Sequence, residues 1–329
     1  MIRKIKWGFI GTGWIAQKLA KALESVDNSQ LYAVGSRNKE TANKFANDFN
    51  VIKSYGSYKE LVEDSDIDIV YVATPHNLHC ENTLMALENN KNVLCEKPFG
   101  INGREVRQMI NKAKEKDLFL MEALWSRYLP NIIKTKEIID SGELGEIKLI
   151  TAYFTTKSNQ GSEGRHFNKD LGGGSLLDIG IYNVFLSLLL LGKPYTINAV
   201  AGFNATGVDN TCSITFKYPN EVMSIMYSSF LINTPVIAEI HCEKGKIFLP
   251  HLWFCPGNIT VTYNDGKEFT HTFDFINNGY NYEADEVVKC ILSGKKESKL
   301  MSLNDSIMLI DTLDNIRKIC GIVYPKHDL

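Results

Sequence analysis

The 329-residue chain has no C-x-x-C pair, no long basic run, no low-complexity segment and no internal repeat. Its seven cysteines (Cys80, Cys95, Cys212, Cys242, Cys255, Cys290 and Cys320) are odd in number and scattered. They read as reduced, mostly buried thiols of a cytoplasmic protein rather than as a disulfide framework. A formal net charge of -2 without a basic block offers nothing to neutralise a nucleic-acid backbone. The longest apolar stretch, around Phe185 to Leu191, is far short of a bilayer span, so no membrane is expected. Met1 to Lys6 mimics a charged signal-peptide start, but Gly8, Gly11 and Gly13 break the apolar run after it and no cleavage site follows. What remains is 44% hydrophobic and 22% charged, ordinary globular material long enough for two domains.

Ile5 to Ile10 reads as a strand, followed at once by Gly11-Thr12-Gly13-Trp14-Ile15-Ala16 and a helical run through Leu23. This is the G-x-G-x-x-A dinucleotide fingerprint in strand–turn–helix context. Gly11 permits the tight turn and Gly13 admits a pyrophosphate to the backbone N–H groups, with the helix dipole behind them. The second strand, Leu31 to Gly35, ends in Ser36-Arg37 where an NAD site would place an acid for the ribose 2′-OH. A hydroxyl and a guanidinium suit a 2′-phosphate, and arginine also stacks on adenine. NADP is therefore expected, with NAD as the alternative.

Ile67 to Ala73 reads as a fully buried parallel strand. The loop after it, Thr74-Pro75-His76-Asn77-Leu78-His79, has an H-x-x-H spacing with no third or fourth metal ligand near it. No metal is expected; Thr74, Pro75, Asn77 and His79 are placed beside the cofactor ribose, or the histidines cap the next helix. A further strand runs from Val93 into Glu96-Lys97-Pro98. Proline cannot donate to a ladder, so the chain leaves the sheet there and delivers Glu96 and Lys97 to the strand carboxyl ends, where ligands of open α/β sheets sit. Helices at Tyr58 to Asp64 and Asn102 to Lys116, and a strand at Leu118 to Met121, complete a doubly wound parallel sheet.

After Glu122 the alternation stops, which sets the expected division at residues 1–122 and 123–329. A helix ends near Ser141-Gly142, and the chain becomes strand-rich from Ile147, with six or seven strands between Thr196 and Phe273. One helix interrupts them, from Gly172-Gly173-Gly174-Ser175 to about Leu191, apolar almost all round and therefore buried. Its polar exceptions Ser175, Asp178 and Tyr182 lie at offsets of three and four, on one face, where unpaired they would be costly. Met223 to Phe230 carries apolar residues on both faces, so its sheet needs cover on both: helices on one, a second subunit on the other. Two helices, Tyr282 to Leu292 and Leu303 to Ile319, close the chain.

Taken in order, Gly11 to Ala16, Glu96-Lys97-Pro98 and Gly172-Gly173-Gly174 through Asp178 and Tyr182 resemble the glucose–fructose oxidoreductase, inositol dehydrogenase and rhizopine-catabolism (Gfo/Idh/MocA) family. Glu122 to Pro130 and Leu177 to Tyr182 are similar to its branch of dimeric dihydrodiol dehydrogenases and NADP-dependent D-xylose 1-dehydrogenases. The similarity extends to Val323-Tyr324-Pro325. It implies an N-terminal Rossmann domain and a C-terminal α+β domain with an open-faced, mainly antiparallel sheet through which two subunits associate. It also implies a cis peptide before Pro98 that aims Lys97 at substrate, and an aromatic wall matched by Trp125 and Phe154. Many relatives have histidine where this chain has Tyr182; the dihydrodiol branch has tyrosine.

The chemistry so implied is reversible hydride transfer between a carbinol carbon and the nicotinamide. Tyr182 would be the base for oxidation, but a phenol near pKa 10 is a poor one at neutral pH. An ammonium about 4 Å away supplies roughly 4 kcal/mol at an effective dielectric of ~20, or about three pKa units, in favour of phenolate. Lys97 is given that role. Asp178 would hold Lys97 or a substrate hydroxyl, Trp125 and Phe154 would cover the flat face of a sugar, polyol or cyclic diol, and Arg165 and His166 are further candidates for hydroxyls. Two other readings share the fold: a non-catalytic NADP-binding sensor, and a reductase of imines or enones.

Overall fold

In the computed structural model, which describes residues 3–328, six strands form a parallel sheet: β1 (Ile5–Ile10), β2 (Ser29–Gly35), β3 (Lys53–Tyr55), β4 (Ile69–Val72), β5 (Asn92–Glu96) and β6 (Leu120–Ala123). Their spatial order is β3-β2-β1-β4-β5-β6, so the winding reverses between β1 and β4 and opens a crevice at their carboxyl ends. Trp7, Phe9 and Ile10 of β1 and all four residues of β4 are fully buried, as strands covered on both faces must be. The connecting helices are α1 (Trp14–Leu23), α2 (Lys39–Asp48), α3 (Tyr58–Glu63), α4 (His79–Glu88) and α5 (Gly103–Glu115). Asn38, Ser57 and Asn102 cap α2, α3 and α5, their side chains accepting from first-turn N–H groups. Neither α2 nor the three-residue β3 is marked by an apolar run in the sequence.

A second sheet has eight strands: β7 (Ile147–Thr155), β8 (Thr196–Phe203), β9 (Asp209–Lys217), β10 (Met223–Ser229), β11 (Ala238–Cys242), β12 (Gly245–Leu249), β13 (Ile259–Tyr263) and β14 (Glu268–His271). The order is β14-β13-β12-β11-β7-β10-β9-β8. Only β7 and β10 pair in parallel. Along β10, Met223 and Ile225 are exposed while Ser224 and Met226 are buried, the period of two expected of a strand. On the buried side lie α6 (Pro130–Ser141) and α7 (Ile181–Leu191), and the Ser187 hydroxyl of α7 donates to that of Ser224 at 2.5 Å. The other face leaves Val200 74% and Ile225 39% exposed.

The segment leading into α7 departs from a plain helix. Gly174 has φ +131°, and a Cβ there would lie 2.3 Å from Asp209 Oδ1, so only glycine fits. A π-helical turn follows over Leu176–Gly180, which shifts the phase of everything after it. Lys169–Leu191 is long and apolar enough for a bilayer by composition alone, but most of it is buried inside its own unit.

The chain divides into two compact units, residues up to 128 with 275–307, and 129–274 with 308 onward. The cut drawn at 122 from the sequence thus differs from the compact units, and Met1, Ile2 and Leu329, the ends of those two segments, lie outside the described residues. The closing helices are α8 (Asn281–Leu292) and α9 (Leu303–Cys320). Segment 275–307 joins the first unit, where Asn277 and Asn278 donate side-chain N–H bonds to the α1 carbonyls of Lys21 and Lys18 at 2.9 and 2.8 Å.

Candidate active site

The first unit gathers four strand ends at one edge. Gly11, with φ +105°, lies so close to β4 that a Cβ would sit 2.6 Å from the Ala73 carbonyl oxygen. Its N–H donates to Gly35 O at 3.1 Å, and Ala73 N–H donates to Ile10 O at 2.9 Å. At Gly13 a Cβ would meet nothing within 4 Å, no side chain caps α1, and its first turn holds no acid. Thr12, Trp14 (66% exposed) and Ile15 border this opening. After β2, Ser36 Oγ accepts from Asn38 N–H, while exposed Arg37 hydrogen-bonds the Tyr58 hydroxyl. Asn77 Oδ1 is buried without a partner. Open space over Gly13, uncapped helix N–H groups and an orphaned amide oxygen at the switch point fit a dinucleotide.

His79 corrects a sequence expectation. It has no exposed surface, and its ring nitrogens lie 2.7 Å from Pro98 O and 2.9 Å from Thr74 O. Both are spent on the backbone, so His79 braces the β4 loop against the β5 loop instead of touching a ribose. Burial holds its pKa below the usual histidine range. Thr74 Oγ1 in turn accepts from Asn82, and Pro75 O accepts from Leu78 N–H.

Lys97 is half-buried and the Lys97–Pro98 peptide is cis, as the family resemblance implies. Around it stand three buried carboxyls. Glu96 Oε1 accepts from the Tyr71 hydroxyl at 2.5 Å and Oε2 from Lys97 N–H at 3.2 Å. Glu122 Oε1 accepts from Phe99 N–H at 3.1 Å, and burial, helped by Glu96, pushes its pKa up to about 7. Glu283 of α8 is fully buried with neither oxygen hydrogen-bonded; burial first and the Glu96 carboxylate second raise it well above the carboxylate range. Trp125 stacks on Tyr280, ring centroids 4.1 Å apart.

The second unit holds a cleft of about 420 Å³ lined by Phe154, Arg165, His166, Asp178, Phe230 and Phe254 among others, within the range of small-molecule sites. Arg165 grips Asp178 with two bonds, Nη1–Oδ1 3.0 Å and Nη2–Oδ2 3.2 Å. His166 stacks on Phe230 at 4.5 Å, with its Nδ1 2.8 Å from Ser158 Oγ and its Nε2 3.7 Å from Asp178. Tyr182 packs against Phe154 and Phe254, ring centroids 5.6 and 4.9 Å away. The one-face expectation for Ser175, Asp178 and Tyr182 is split by the π-helical turn. Ser175 instead donates to buried Asp209 Oδ2 at 2.9 Å, beside the Leu176 N–H at 2.7 Å. Burial lifts Asp209 to about 7 against those bonds. Tyr324 donates to Gly173 O at 2.6 Å and pins the glycine run from behind. Phe254, Asp209 and Tyr280 escaped sequence reasoning; the run Leu252-Trp253-Phe254 and a lone acid opening an apolar strand at Asp209 were the available signals.

Comparison with known proteins agrees with this geometry. Residues 5–124 match the oxidoreductase family with an NAD-binding Rossmann fold, and residues 132–248 match the GFO/IDH/MocA C-terminal domain. The chain belongs to the GFO/IDH/MocA family of oxidoreductases. It is 38% identical to trans-1,2-dihydrobenzene-1,2-diol dehydrogenase of Xenopus laevis, over 97% of this chain and 99% of that one. The enzyme of that name from Homo sapiens is 34% identical, covering 98% of each. Among solved structures, the fold is shared with aldose-aldose oxidoreductase from Caulobacter crescentus (TM-score 0.88, 22% identity, 97% and 98% covered). It is shared also with a 3-ketoreductase from Actinomadura kijaniata bound to NADP (TM-score 0.85, 24% identity, 97% and 98% covered).

The buried acids make stability depend on pH with a definite sign. A carboxyl whose pKa is raised on folding binds a proton more tightly in the native state, so its contribution is complete below its unfolded value and is lost as pH rises through the folded one. For Glu122 that window runs from 4.5 to about 7, worth on the order of 3 kcal/mol across it. Glu122→Gln is expected to flatten the fall of the melting temperature through this window. Parallel pH profiles for the variant and the parent protein would remove Glu122 from the account.

Proposed function

We propose that the protein is an NADP-dependent dehydrogenase or reductase acting on CH–OH groups, exchanging hydride with a carbinol or hemiacetal carbon of a sugar, polyol or trans-dihydrodiol. The observation that carries this reading is the delivery of the glycine turn, Ser36-Arg37 and Glu96-Lys97-Pro98 to one edge of one parallel sheet. A bound nicotinamide supplies the hydride exchange. In this reading Tyr182 accepts the carbinol proton, Lys97 steadies the developing oxyanion, and Asp178 with Arg165 orients hydroxyls. Trp125 and Phe154 give an apolar face to the ring. Gly11 to Ile15 cradle the pyrophosphate, Arg37 with Ser36 takes the 2′-phosphate, and Thr74, Pro75, Asn77 and Glu96 line the nicotinamide side.

The reduced cysteines favour a cytoplasmic setting, and the exposed apolar face holding Val200, Met223 and Ile225 favours a homodimer with that face covered. By light scattering the parent protein should be dimeric and Val200→Asp monomeric; a monomeric parent protein overturns this arrangement.

The activity test follows cofactor reduction across D-xylose, D-glucose, other aldoses, cyclic polyols and trans-dihydrodiols, with NADP+ and NAD+ in parallel. Lys97→Met and Tyr182→Phe should lower turnover by about two orders of magnitude or more, with NADP+ binding retained in Tyr182→Phe. Lost binding in that variant assigns Tyr182 to structure instead. Arg37→Ala should weaken NADP+ by about tenfold or more, the value of a charge-assisted bond, and leave NAD+ nearly unchanged. An equal loss for both removes Arg37 from the 2′-phosphate.

A further inference from the structure

The cleft of the second unit is walled by rings. Phe154 and Phe254 stack at 4.2 Å, and Phe230 backs His166. Tyr182 packs against the first two, so the proton acceptor of the proposed reaction stands at that wall. Three polar side chains of the same cleft, Arg165, Asn233 and His251, share one property: each is tied to the protein and still has a donor to offer. Arg165 uses two of its five N–H groups on Asp178, at 3.0 and 3.2 Å, and no described residue accepts from the remaining three. Its side chain stays 49% exposed. Asn233 Oδ1 accepts from Lys157 N–H at 2.7 Å, which leaves the amide NH2 with no described acceptor. His251 Nδ1 accepts from Val236 N–H at 3.0 Å. A ring nitrogen that accepts carries no proton, so the hydrogen of this imidazole is on Nε2, again with no described acceptor. Asn233 and His251 are both exposed.

These donors sit on a fastened frame. Ser158 N–H donates to Phe230 O at 2.9 Å, Lys157 N–H to Asn233, and Thr234 N–H to Thr155 Oγ1 at 2.9 Å. His251 holds the far end of the same segment through Val236. Little ordering is therefore lost when a ligand binds.

The balance of donors and acceptors defines that ligand. Each hydroxyl of a neutral sugar or polyol donates as well as accepts, and the Asn233 oxygen and His251 Nδ1, both engaged, do not take up its hydrogen. A carboxylate only accepts, and a guanidinium edge offers parallel N–H groups that match its two oxygens. A phosphate dianion suits the cleft less. Among the described lining residues Arg165 is the one arginine or lysine, and Asp178 already draws on its charge.

We propose that the cleft takes a polyhydroxy carboxylate, a sugar acid whose carboxylate is received by Arg165, Asn233 and His251 while a carbinol carbon lies toward Tyr182. The fate of the carbinol rests on the hydride-transfer reading above; the carboxylate rests on the donors alone. Asn233 and His251 are then specificity-determining residues, and Arg165 serves Asp178 and the ligand together.

The test compares D-glucuronate with D-glucose, which carries CH2OH in place of the carboxylate, on the full-length protein with NADP+ present. Affinity is read by isothermal titration calorimetry, so no turnover is needed. D-Glucuronate should bind at least about tenfold more tightly, as charge-assisted bonds to a guanidinium imply. Asn233→Asp keeps an oxygen for Lys157 N–H but puts a carboxylate where the donor was, and should erase the preference. His251→Asn offers an amide oxygen to Val236 N–H without the Nε2 hydrogen, and should weaken D-glucuronate by about fivefold, the value of one hydrogen bond. Equal affinity for the two sugars, no binding of either, tighter binding of D-glucose 6-phosphate than of D-glucuronate, or a preference that survives both substitutions overturns the proposal. The comparison on the parent protein stands even where a variant fails to fold. NADP+ reduction by aldoses with no preference for the acid removes the carboxylate site alone. A calorimetric preference for the acid, with no NADP+ reduction by either sugar, removes hydride transfer alone.

Discussion

The carbonyl oxygen of Ala73 occupies the space where a side chain at residue 11 would begin. From that close approach follows the geometry of the whole cofactor edge. Gly11 is tied to Gly35 on one side, Ile10 to Ala73 on the other, and His79 spans from Thr74 to Pro98. The ends of β2, β1, β4 and β5 are therefore one braced rim, and the fingerprint, Arg37, the Asn77 loop and Lys97 cannot move independently. Hydrogen bonds to backbone carbonyls do this more rigidly than side-chain packing could, because each fixes a direction as well as a distance.

The second unit solves the same problem with a carboxylate. Asp209 receives the Ser175 hydroxyl and the Leu176 N–H, and Tyr324 holds Gly173, so the helix bearing Asp178 and Tyr182 starts from a fixed point. The cost is a deeply buried acid, offset by two donors that it could not find in water together. Arg165 then settles the orientation of Asp178, and stacked rings settle Tyr182. Ser175, Asp178 and His166 are each held by a named partner before any ligand arrives, which is what preorganisation of a binding site requires.

Much of this was legible in the residues alone. The parallel sheet follows from apolar runs alternating with capped helices, and its lip from Gly11, Ser36-Arg37 and Glu96-Lys97-Pro98, because turns, caps and prolines act locally. The seven strands after Thr196 were marked by turn residues. What escaped depends on contacts distant in sequence. Nothing local says that 275–307 belongs with the first unit, since the bonds from Asn277 and Asn278 to α1 join residues some 250 positions apart. Helical spacing placed Ser175 with Asp178 and Tyr182, and the π-helical turn between them undid the alignment. His79 looked like a ligand-facing histidine, and its burial between two carbonyls could only be seen once two loops were adjacent.

Glu122, Glu283 and Asp209 have one shared consequence outside the site. Each carboxyl is ionised in an unfolded chain at neutral pH and wholly or partly protonated in the native one, so folding takes up protons from the medium. The heat of unfolding then includes the heat of the buffer accepting those protons, and will differ between phosphate and an amine buffer at the same pH and temperature. A calorimeter would thus count the buried acids of this protein without reference to what it turns over.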